Sequence, residues 1–349
     1  MLSPVDEGGP VTKGLFEMAI PALFKNRLSI PVIGSPMFIV SGPELVIAQC
    51  KAGIVGSFPA LNARPQSMLD EWLHRIKEEL AEHDRKNPDR LSAPFAVNQI
   101  VHRTNNRLDA DMAICEKHKV PMVITSLGAR PELNQAVHNW GGIVFHDVID
   151  QTFAHKAVEK GADGLILVAA GAGGHAGRVS PLAFVSETRE WFKGPIALSG
   201  AMGNGRAIRA ARVLGADFGY IGTAFVATHE ANAALGYKAM VVEYGADDIV
   251  YTNAITGVHG NYLKPSIRNA GLDPDAMPES DKTKMSFATT SDGERAKPKA
   301  WKDIWGSGQG IGSIKGIVSV EELVARFRKE YAEAADPAYD GWTASARAA

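Results

Sequence analysis

The strongest constraint on the fold is a repeated alternation along the chain, in which a short apolar run precedes a longer segment with helical spacing. In the segment 66–82, apolar residues recur every three or four positions, whereas the run 164–168 has no polar side chain. Strands that alternate with helices favour a parallel sheet, and strands covered on both faces are apolar on both faces. About eight such units favour an α/β fold of the closed (β/α)8 TIM-barrel type over an open doubly wound sheet.

The predicted strands are 31–34, 54–58, 95–98, 122–126, 143–145, 164–168, 196–199 and 218–222. The helices predicted after them are 43–52, 66–82, 108–119, 131–139, 152–160, 182–192, 205–214 and 230–244. The alternation stops near residue 252. We therefore expect a barrel over 1–251, a charged insertion or lid over the barrel mouth at 252–299, and a C-terminal segment packing back on the barrel at 300–349. The charged stretch 83–93 is interpreted as a surface insertion.

Charge and cysteine content exclude several classes of function. The formal net charge of −2 provides no basic surface for nucleic acid. No apolar run is long enough to cross a membrane and no secretion signal is recognised, so we expect a cytoplasmic protein. Cys50 and Cys115 lie far apart and no H-E-x-x-H pattern occurs, so neither a disulfide framework nor a metal site is predicted. The oligomeric state is left open, a homo-oligomer included.

A glycine-rich loop with one histidine follows the sixth predicted strand: Gly171-Ala-Gly-Gly-His175-Ala-Gly177. Glycine has no Cβ, so a flat or anionic cofactor can approach its backbone closely, and imidazole suits proton transfer near neutral pH. Functional residues of such barrels lie at the carboxyl ends of the strands, which predicts His175 in the active site. The alternative is a surface or capping histidine. The loop also satisfies G-x-G-x-x-A, but the next strand ends without the carboxylate of a dinucleotide fold.

Two further loops resemble the phosphate site that barrels commonly build after their seventh and eighth strands. They are Ser199-Gly200-Ala201 and Gly222-Thr223. The alternative is that these glycines only let helices pack tightly on strands. Ser126 and His146 also fall at strand ends, where His146 should face the barrel mouth unless it bonds to neighbouring backbone.

Several of these segments together resemble the nitronate monooxygenase family, whose members are FMN-dependent (β/α)8-barrel flavoenzymes. The resemblance runs from about Ile30 to Glu230, with a weaker match at 305–316. The segments that carry it are Ser35-Pro36-Met37, Phe95-Ala-Val-Asn98, 172–177, 199–201 and 221–225. The chain departs from the family pattern at Gly200-Ala201, often Gly-Gly, and at Ala170-Gly171, where an acidic residue often stands.

The resemblance implies a cofactor site, an active-site histidine and a substrate pocket. His175 would lie near the reactive face of the flavin, and His146, Ser126 and Gln309 would line the pocket. The residues implied to bind FMN are Pro36, Met37, Asn98, Gly173, Gly174, Ser199, Gly200, Ala201, Gly222 and Thr223.

The implied reaction is oxidation of alkyl nitronates by O2 to carbonyl compounds and nitrite. One alternative is an NAD(P)H-dependent FMN reductase of quinones or enoyl thioesters. Another is a barrel that binds a phosphorylated ligand without redox chemistry.

Overall fold

A computed structural model describes residues 20–279 and 303–335. Its strands are β1 (Val32–Gly34), β2 (Gly56–Pro59), β3 (Phe95–Ile100), β4 (Met122–Ser126), β5 (Ile143–Val148), β6 (Gly164–Val168), β7 (Gly174–His175), β8 (Ile196–Ser199), β9 (Phe218–Ile221), β10 (Ile249–Thr252) and β11 (Gly260–Leu263). Eight of them form one parallel sheet in the order β1-β9-β8-β6-β5-β4-β3-β2. A parallel bridge between Ile33 and Val55 joins its two ends. The predicted TIM-barrel fold is confirmed.

Helices connect and surround the strands. They are α1 (Pro43–Lys51), α2 (Met68–Lys86), α3 (Leu108–His118), α4 (Pro131–Asn139), α5 (Gln151–Glu159), α6 (Pro181–Trp191), α7 (Gly205–Leu214), α8 (Thr223–Val226), α9 (Leu235–Glu243), α10 (Lys264–Asn269) and α11 (Val320–Glu333). Several begin on residues suited to that position. Proline starts α1, α4 and α6, and the side chains of Asp150 and Asn204 accept backbone N–H bonds at the starts of α5 and α7.

The barrel interior contains one apolar cluster that includes Ile33, Ile124 and Phe145. Phe24, which precedes β1, joins it, with its ring centroid 6.3 Å from that of Phe145 and 5.1 Å from that of Phe218. Because side chains alternate along a strand, residues two positions from these also point inward. The remaining strand residues face the helices.

Two helix boundaries differ from the sequence prediction by more than two residues. Helix α2 continues to Lys86, four residues into the predicted surface insertion. Helix α9 begins at Leu235 and not at residue 230, because the preceding residues are bonded elsewhere. The Glu230 carboxylate accepts the N–H of Val320 at 3.0 Å, and the N–H of Asn232 donates to Val40 O at 3.0 Å.

A second sheet has the order β10-β11-β7, and its pairs are antiparallel. It contains residues from the predicted lid, of which 280–299 lie outside the described residues. Helix α11, from the predicted C-terminal segment, packs against α7 and α1. The domain boundaries at 252 and 300 stay a prediction.

Three absences hold within the described ranges 20–279 and 303–335. No helix there is long and apolar enough to cross a membrane. No group of three or more His, Cys, Asp or Glu could hold a metal ion. Cys50 and Cys115 are buried and form no disulfide.

The contact between α7 and α11 can be tested at Gly205. A Cβ on this residue would lie 2.5 Å from the backbone nitrogen of Tyr331, so alanine forces the helices apart. We expect Gly205→Ala to lower the free energy of unfolding by about 1–3 kcal/mol, as overpacking does. Gly312→Ala is the control, because nothing lies within 4 Å of its added Cβ. Urea unfolding followed by circular dichroism measures both, and equal stability of the two variants would contradict the tight contact.

Candidate active site

His175 lies on β7, in the loop that follows the barrel strand β6, and β11 holds its backbone in place. Gly260 pairs with His175, and the N–H of Ala176 donates to His259 O at 3.1 Å. A Cβ on Gly260 would lie 2.6 Å from Gly174 O, so glycine is required for this close approach. The second sheet therefore fixes the glycine-histidine loop at the carboxyl-terminal face of the barrel.

The hydrogen bond between the His175 ring and Thr256 favours one tautomer of the ring. Its Nε2 lies 3.0 Å from Thr256 Oγ1, which is also 3.1 Å from Val258 O and 3.2 Å from the hydroxyl of Tyr262. A carbonyl oxygen only accepts, so the single hydroxyl proton of Thr256 goes to Val258 O. The His175 Nε2–H then donates to Thr256, and Nδ1 carries the lone pair of the neutral ring.

Burial lowers the pKa of His175 to about 4, because the low-dielectric surroundings disfavour the charged imidazolium. The ring is therefore neutral at pH 7. A neutral imidazole whose proton is on Nε2 can accept a proton at Nδ1.

The predicted phosphate loops lie next to each other and to the histidine loop. The N–H of Ala201 donates to Gly171 O at 3.1 Å, and Ala201 has a φ of 53°, where glycine is more usual. Gly222 lies close to Met37, since a Cβ on Gly222 would lie 3.4 Å from Met37 Sδ. The structure thus brings the loops that follow β1, β6, β8 and β9 to one region.

A segment from the C-terminal part of the chain completes this region. The N–H of Gly308 donates to Thr223 Oγ1 at 2.9 Å, and the N–H of Gln309 donates to Gly171 O at 2.9 Å. Gly173 fits only without a side chain, because a Cβ would lie 2.7 Å from Gly308 N. The Gln309 side chain lies over Gly171, with its Oε1 3.0 Å from where a Cβ would stand.

Polar side chains inside the barrel form a hydrogen-bonded row across β3, β4 and β5. Asn98 Nδ2 donates to Ile124 O at 3.1 Å and to Ser126 Oγ at 2.8 Å, and the Ser126 hydroxyl donates to Asp147 Oδ2 at 2.5 Å. Asn98 and Ser126 are sequence-predicted site residues. Asp147 is not, because the sequence alone does not show that Phe145, two residues before it, points inward.

His146 is placed differently from the expectation that it faces the barrel mouth. Phe145 points into the barrel, so the pleat of β5 turns His146 to the outer face, and its Nδ1 lies 2.5 Å from Thr125 Oγ1. Burial, and to a smaller extent the charge of Lys160, lowers the pKa of His146 to about 4. Pro36, Gly174 and Ser199 lie in the loops already described, beside Met37, Gly173 and Gly200.

Sequence patterns provide no signal for three residues of the hairpin formed by β10, β11 and the turn between them. Thr256 and Tyr262 hold the His175 ring through the bonds described above. Asn261 Nδ2 donates to Ala172 O at 2.7 Å, and Asn261 O accepts the N–H of Ser307 at 3.1 Å. These contacts depend on pairing between segments about eighty residues apart, which local sequence patterns do not reveal.

A parallel barrel with a neutral imidazole and glycine-rich loops at its carboxyl-terminal face is the arrangement of a TIM-barrel enzyme. Within that class, the chain belongs to the nitronate monooxygenase family, whose family model matches residues 22–330. This is a family of flavin-dependent oxidoreductases. The family predicted from the sequence is confirmed.

Known relatives match at modest identity. The chain is 26% identical over 183 residues to a probable nitronate monooxygenase of Bacillus subtilis, covering 49% of this chain and 52% of the relative. It is 29% identical over 295 residues to a nitronate monooxygenase of Paraburkholderia phytofirmans, covering 70% and 76%. It is 25% identical over 240 residues to a (3aS,4S,5R,7aS)-5-hydroxy-7a-methyl-1-oxo-octahydro-1H-indene-4-carboxyl-CoA dehydrogenase of Mycobacterium tuberculosis, covering 68% and 64%. The chain thus spans only 52% of the length of the B. subtilis relative and 64% of that of the M. tuberculosis relative.

Two solved structures share the fold. Nitroalkane oxidase from Streptomyces ansochromogenes superposes with a TM-score of 0.69 at 20% identity, over 90% of this chain and 99% of that one. FabK from Thermotoga maritima superposes with a TM-score of 0.68 at 23% identity, over 88% and 94%. At these identities the likeness concerns the fold alone.

The tautomer of His175 can be tested at Thr256. Thr256→Val removes the hydroxyl that accepts the Nε2–H and keeps the side-chain shape, whereas Thr256→Ser keeps the hydroxyl. We expect the unaltered protein and Thr256→Ser to hold the neutral ring with its proton on Nε2, and Thr256→Val to populate the Nδ1–H form as well. Nitrogen-15 chemical shifts of the His175 ring at pH 7 report this. A ring that stays fully in the Nε2–H form in Thr256→Val would contradict the role of Thr256.

Proposed function

We propose that this protein binds FMN and oxidises alkyl nitronates with O2, giving carbonyl compounds and nitrite. The family match supports this proposal, as do the relatives named nitronate monooxygenase in P. phytofirmans and Neurospora crassa. The observation that carries it is the half-buried, neutral His175, whose Nε2–H is bonded to Thr256. Such a ring is suited to take the α-proton of a nitroalkane and so to form the anion that is oxidised.

The loops fit a phosphorylated flavin. Backbone at Gly173 is exposed, and a side chain there would fill the space beside Thr223 and Gly308. The phosphate would be held by the loops of Ser199–Ala201 and Gly222–Thr223, where the Thr223 hydroxyl accepts the N–H of Gly308 and can still donate its own proton. Residues 308–310 pack directly against these loops, which favours a terminal phosphate, as in FMN, over a pyrophosphate that continues to an adenosine.

Each residue of the proposed site has a distinct task. Met37, on the loop after β1, would lie beside the ring system, and Asn98 would hydrogen-bond it from β3. A bound flavin would supply the redox chemistry, as the acceptor of electrons from the nitronate and their donor to O2. His175 Nδ1 takes the α-proton of a neutral nitroalkane, which leaves the nitronate anion and an imidazolium. The hydrogen bond to Thr256 keeps the ring oriented during this transfer.

Replacing His175 by asparagine tests this role. We expect His175→Asn to lose about 10²–10⁴-fold in kcat/KM on neutral nitroalkanes, which need the base, and much less on preformed nitronates. His74→Asn, a highly exposed histidine on α2, is the control and should leave both activities unchanged. Oxygen consumption with each substrate measures the effect. Equal activity of His175→Asn and the unaltered enzyme on nitroalkanes would remove the proposed role.

The pH dependence provides a second check on the same base. Only the neutral ring accepts a proton, and the pKa of His175 is lowered to about 4. The kcat/KM on neutral nitroalkanes should therefore rise through about pH 4 and stay level to pH 7. An acid limb centred near the ordinary histidine value of about 6.5 would contradict a buried base.

A second candidate function is an NAD(P)H-dependent reductase of quinones or enoyl thioesters. The M. tuberculosis relative favours a thioester substrate, since its name describes a CoA derivative. Anaerobic titration of the FMN-loaded protein separates the two functions. If the flavin is an oxygenase cofactor, a nitronate should bleach its visible absorption and NADPH and NADH should not. Rapid bleaching by either pyridine nucleotide would instead support the reductase.

A further inference from the structure

Asp147 is a titratable group in the barrel that the proposed reaction does not yet use. Its side chain points inward, because it stands two residues after Phe145 on β5. Its Oδ2 accepts the Ser126 hydroxyl at 2.5 Å, whereas Oδ1 is buried and has no hydrogen-bond partner among the described residues. A buried carboxyl oxygen without a hydrogen-bond partner lowers the stability of the fold, so its presence inside the barrel calls for a functional explanation.

Among the described residues, none close to Asp147 supplies a compensating positive charge. Ser126 faces it from β4, and Tyr220 from β9 is close enough that the charge of Asp147 helps burial to raise the phenol pKa. Strand β6 contributes apolar side chains, and the charge of Lys160 acts on His146, which lies on the outer face of β5. Within residues 20–279 and 303–335, Asp147 forms no ion pair.

Ser126 connects this carboxyl to the proposed flavin site. The Ser126 hydroxyl oxygen accepts from Asn98 Nδ2 at 2.8 Å, and the other Nδ2 proton of Asn98 goes to Ile124 O. When Asp147 is ionised, it takes the Ser126 proton as a hydrogen bond. When Asp147 is protonated, it donates to Ser126 Oγ, and the Ser126 O–H becomes available to a group in the barrel mouth.

We propose that Asp147 and Ser126 form a second acid–base site of this enzyme, which supplies a proton from inside the barrel when the bound flavin is reduced. The proposal rests on the flavin proposed above. The Ser126 hydroxyl proton passes to the reduced ring system, which has gained two electrons from the substrate, and the Asp147 proton moves from Oδ2 to Ser126 Oγ. Asp147 is left as a carboxylate and regains a proton from water after the flavin is reoxidised.

The burial of the Asp147 carboxyl makes this role feasible near neutral pH. Burial raises the pKa of Asp147 to about 7, while the Ser126 hydrogen bond opposes the increase. The carboxyl can therefore both hold and release its proton under ordinary conditions. Burial lowers the pKa of His175, so at pH 7 this ring carries no extra proton until it takes one from a substrate.

The test is the reduction potential of the FMN-loaded enzyme, measured against pH from 5 to 9 by anaerobic spectroelectrochemistry. We expect the potential to fall more steeply with pH above about pH 7, because below that pH the reduced flavin takes its proton from Asp147 and above it from solvent. Asp147→Asn should remove that change of slope and keep the flavin bound. Asp109→Asn is the control, an exposed carboxylate on α3 that should preserve it.

Ser126→Ala provides an independent readout. It removes the hydrogen bond that stabilises the Asp147 carboxylate, so the change of slope should move to higher pH and persist. The proposal would be overturned if the change of slope survived in Asp147→Asn or were absent from the unaltered enzyme. In either case the FMN bound by the protein would still support the proposed cofactor. A protein that takes up no FMN would overturn both the cofactor and the acid–base role.

Discussion

Backbone pairing between β7 and β11 places Gly260 opposite His175 and Asn261 opposite Gly174. The barrel alone leaves the glycine-rich loop after β6 without such partners, since a chain of small residues has few side chains to anchor it. The pairing fixes the backbone of the loop. The hairpin of β10 and β11 also places Thr256 beside the imidazole, and Tyr262 contacts Thr256 in turn. The orientation of His175 therefore depends on a segment outside the βα repeats.

Asn261 extends this dependence to the loops proposed to bind phosphate. Its side chain donates to Ala172 O, and its backbone accepts the N–H of Ser307. The next residue, Gly308, donates to Thr223, and Gln309 donates to Gly171. A chain of hydrogen bonds thus joins the second sheet, the histidine loop and the C-terminal segment. A disturbance at any of these elements should reach both the histidine and the loops after β8 and β9.

Local patterns predicted the barrel and much of the candidate site, because both depend on short-range regularities. The apolar runs mark strands buried on both faces, and glycines mark loops where backbone must come close, so the regions of Gly173, Ala201 and Thr223 were found from the sequence. The sequence analysis selected His146 and not Asp147, because the correct choice depends on which residue of β5 points inward. A strand's alternation gives two possible faces, and only the position of Phe145 in the barrel interior selects one.

Two half-buried groups at this face respond to low-dielectric surroundings in opposite senses. Burial lowers the pKa of His175 from 6.5 to about 4 and raises that of Asp147 from 3.8 to about 7. In the unfolded chain His175 binds a proton below pH 6.5, so folding loses stability from this group as pH falls from about 6.5 to 4. Folded Asp147 holds a proton up to about pH 7, so folding loses stability from it as pH rises from about 4 to 7. Keeping His175 neutral therefore costs stability only below about pH 6.5, whereas keeping Asp147 neutral costs stability above about pH 4. Such shifts are typical of sites where proton transfer requires a neutral base and a neutral acid.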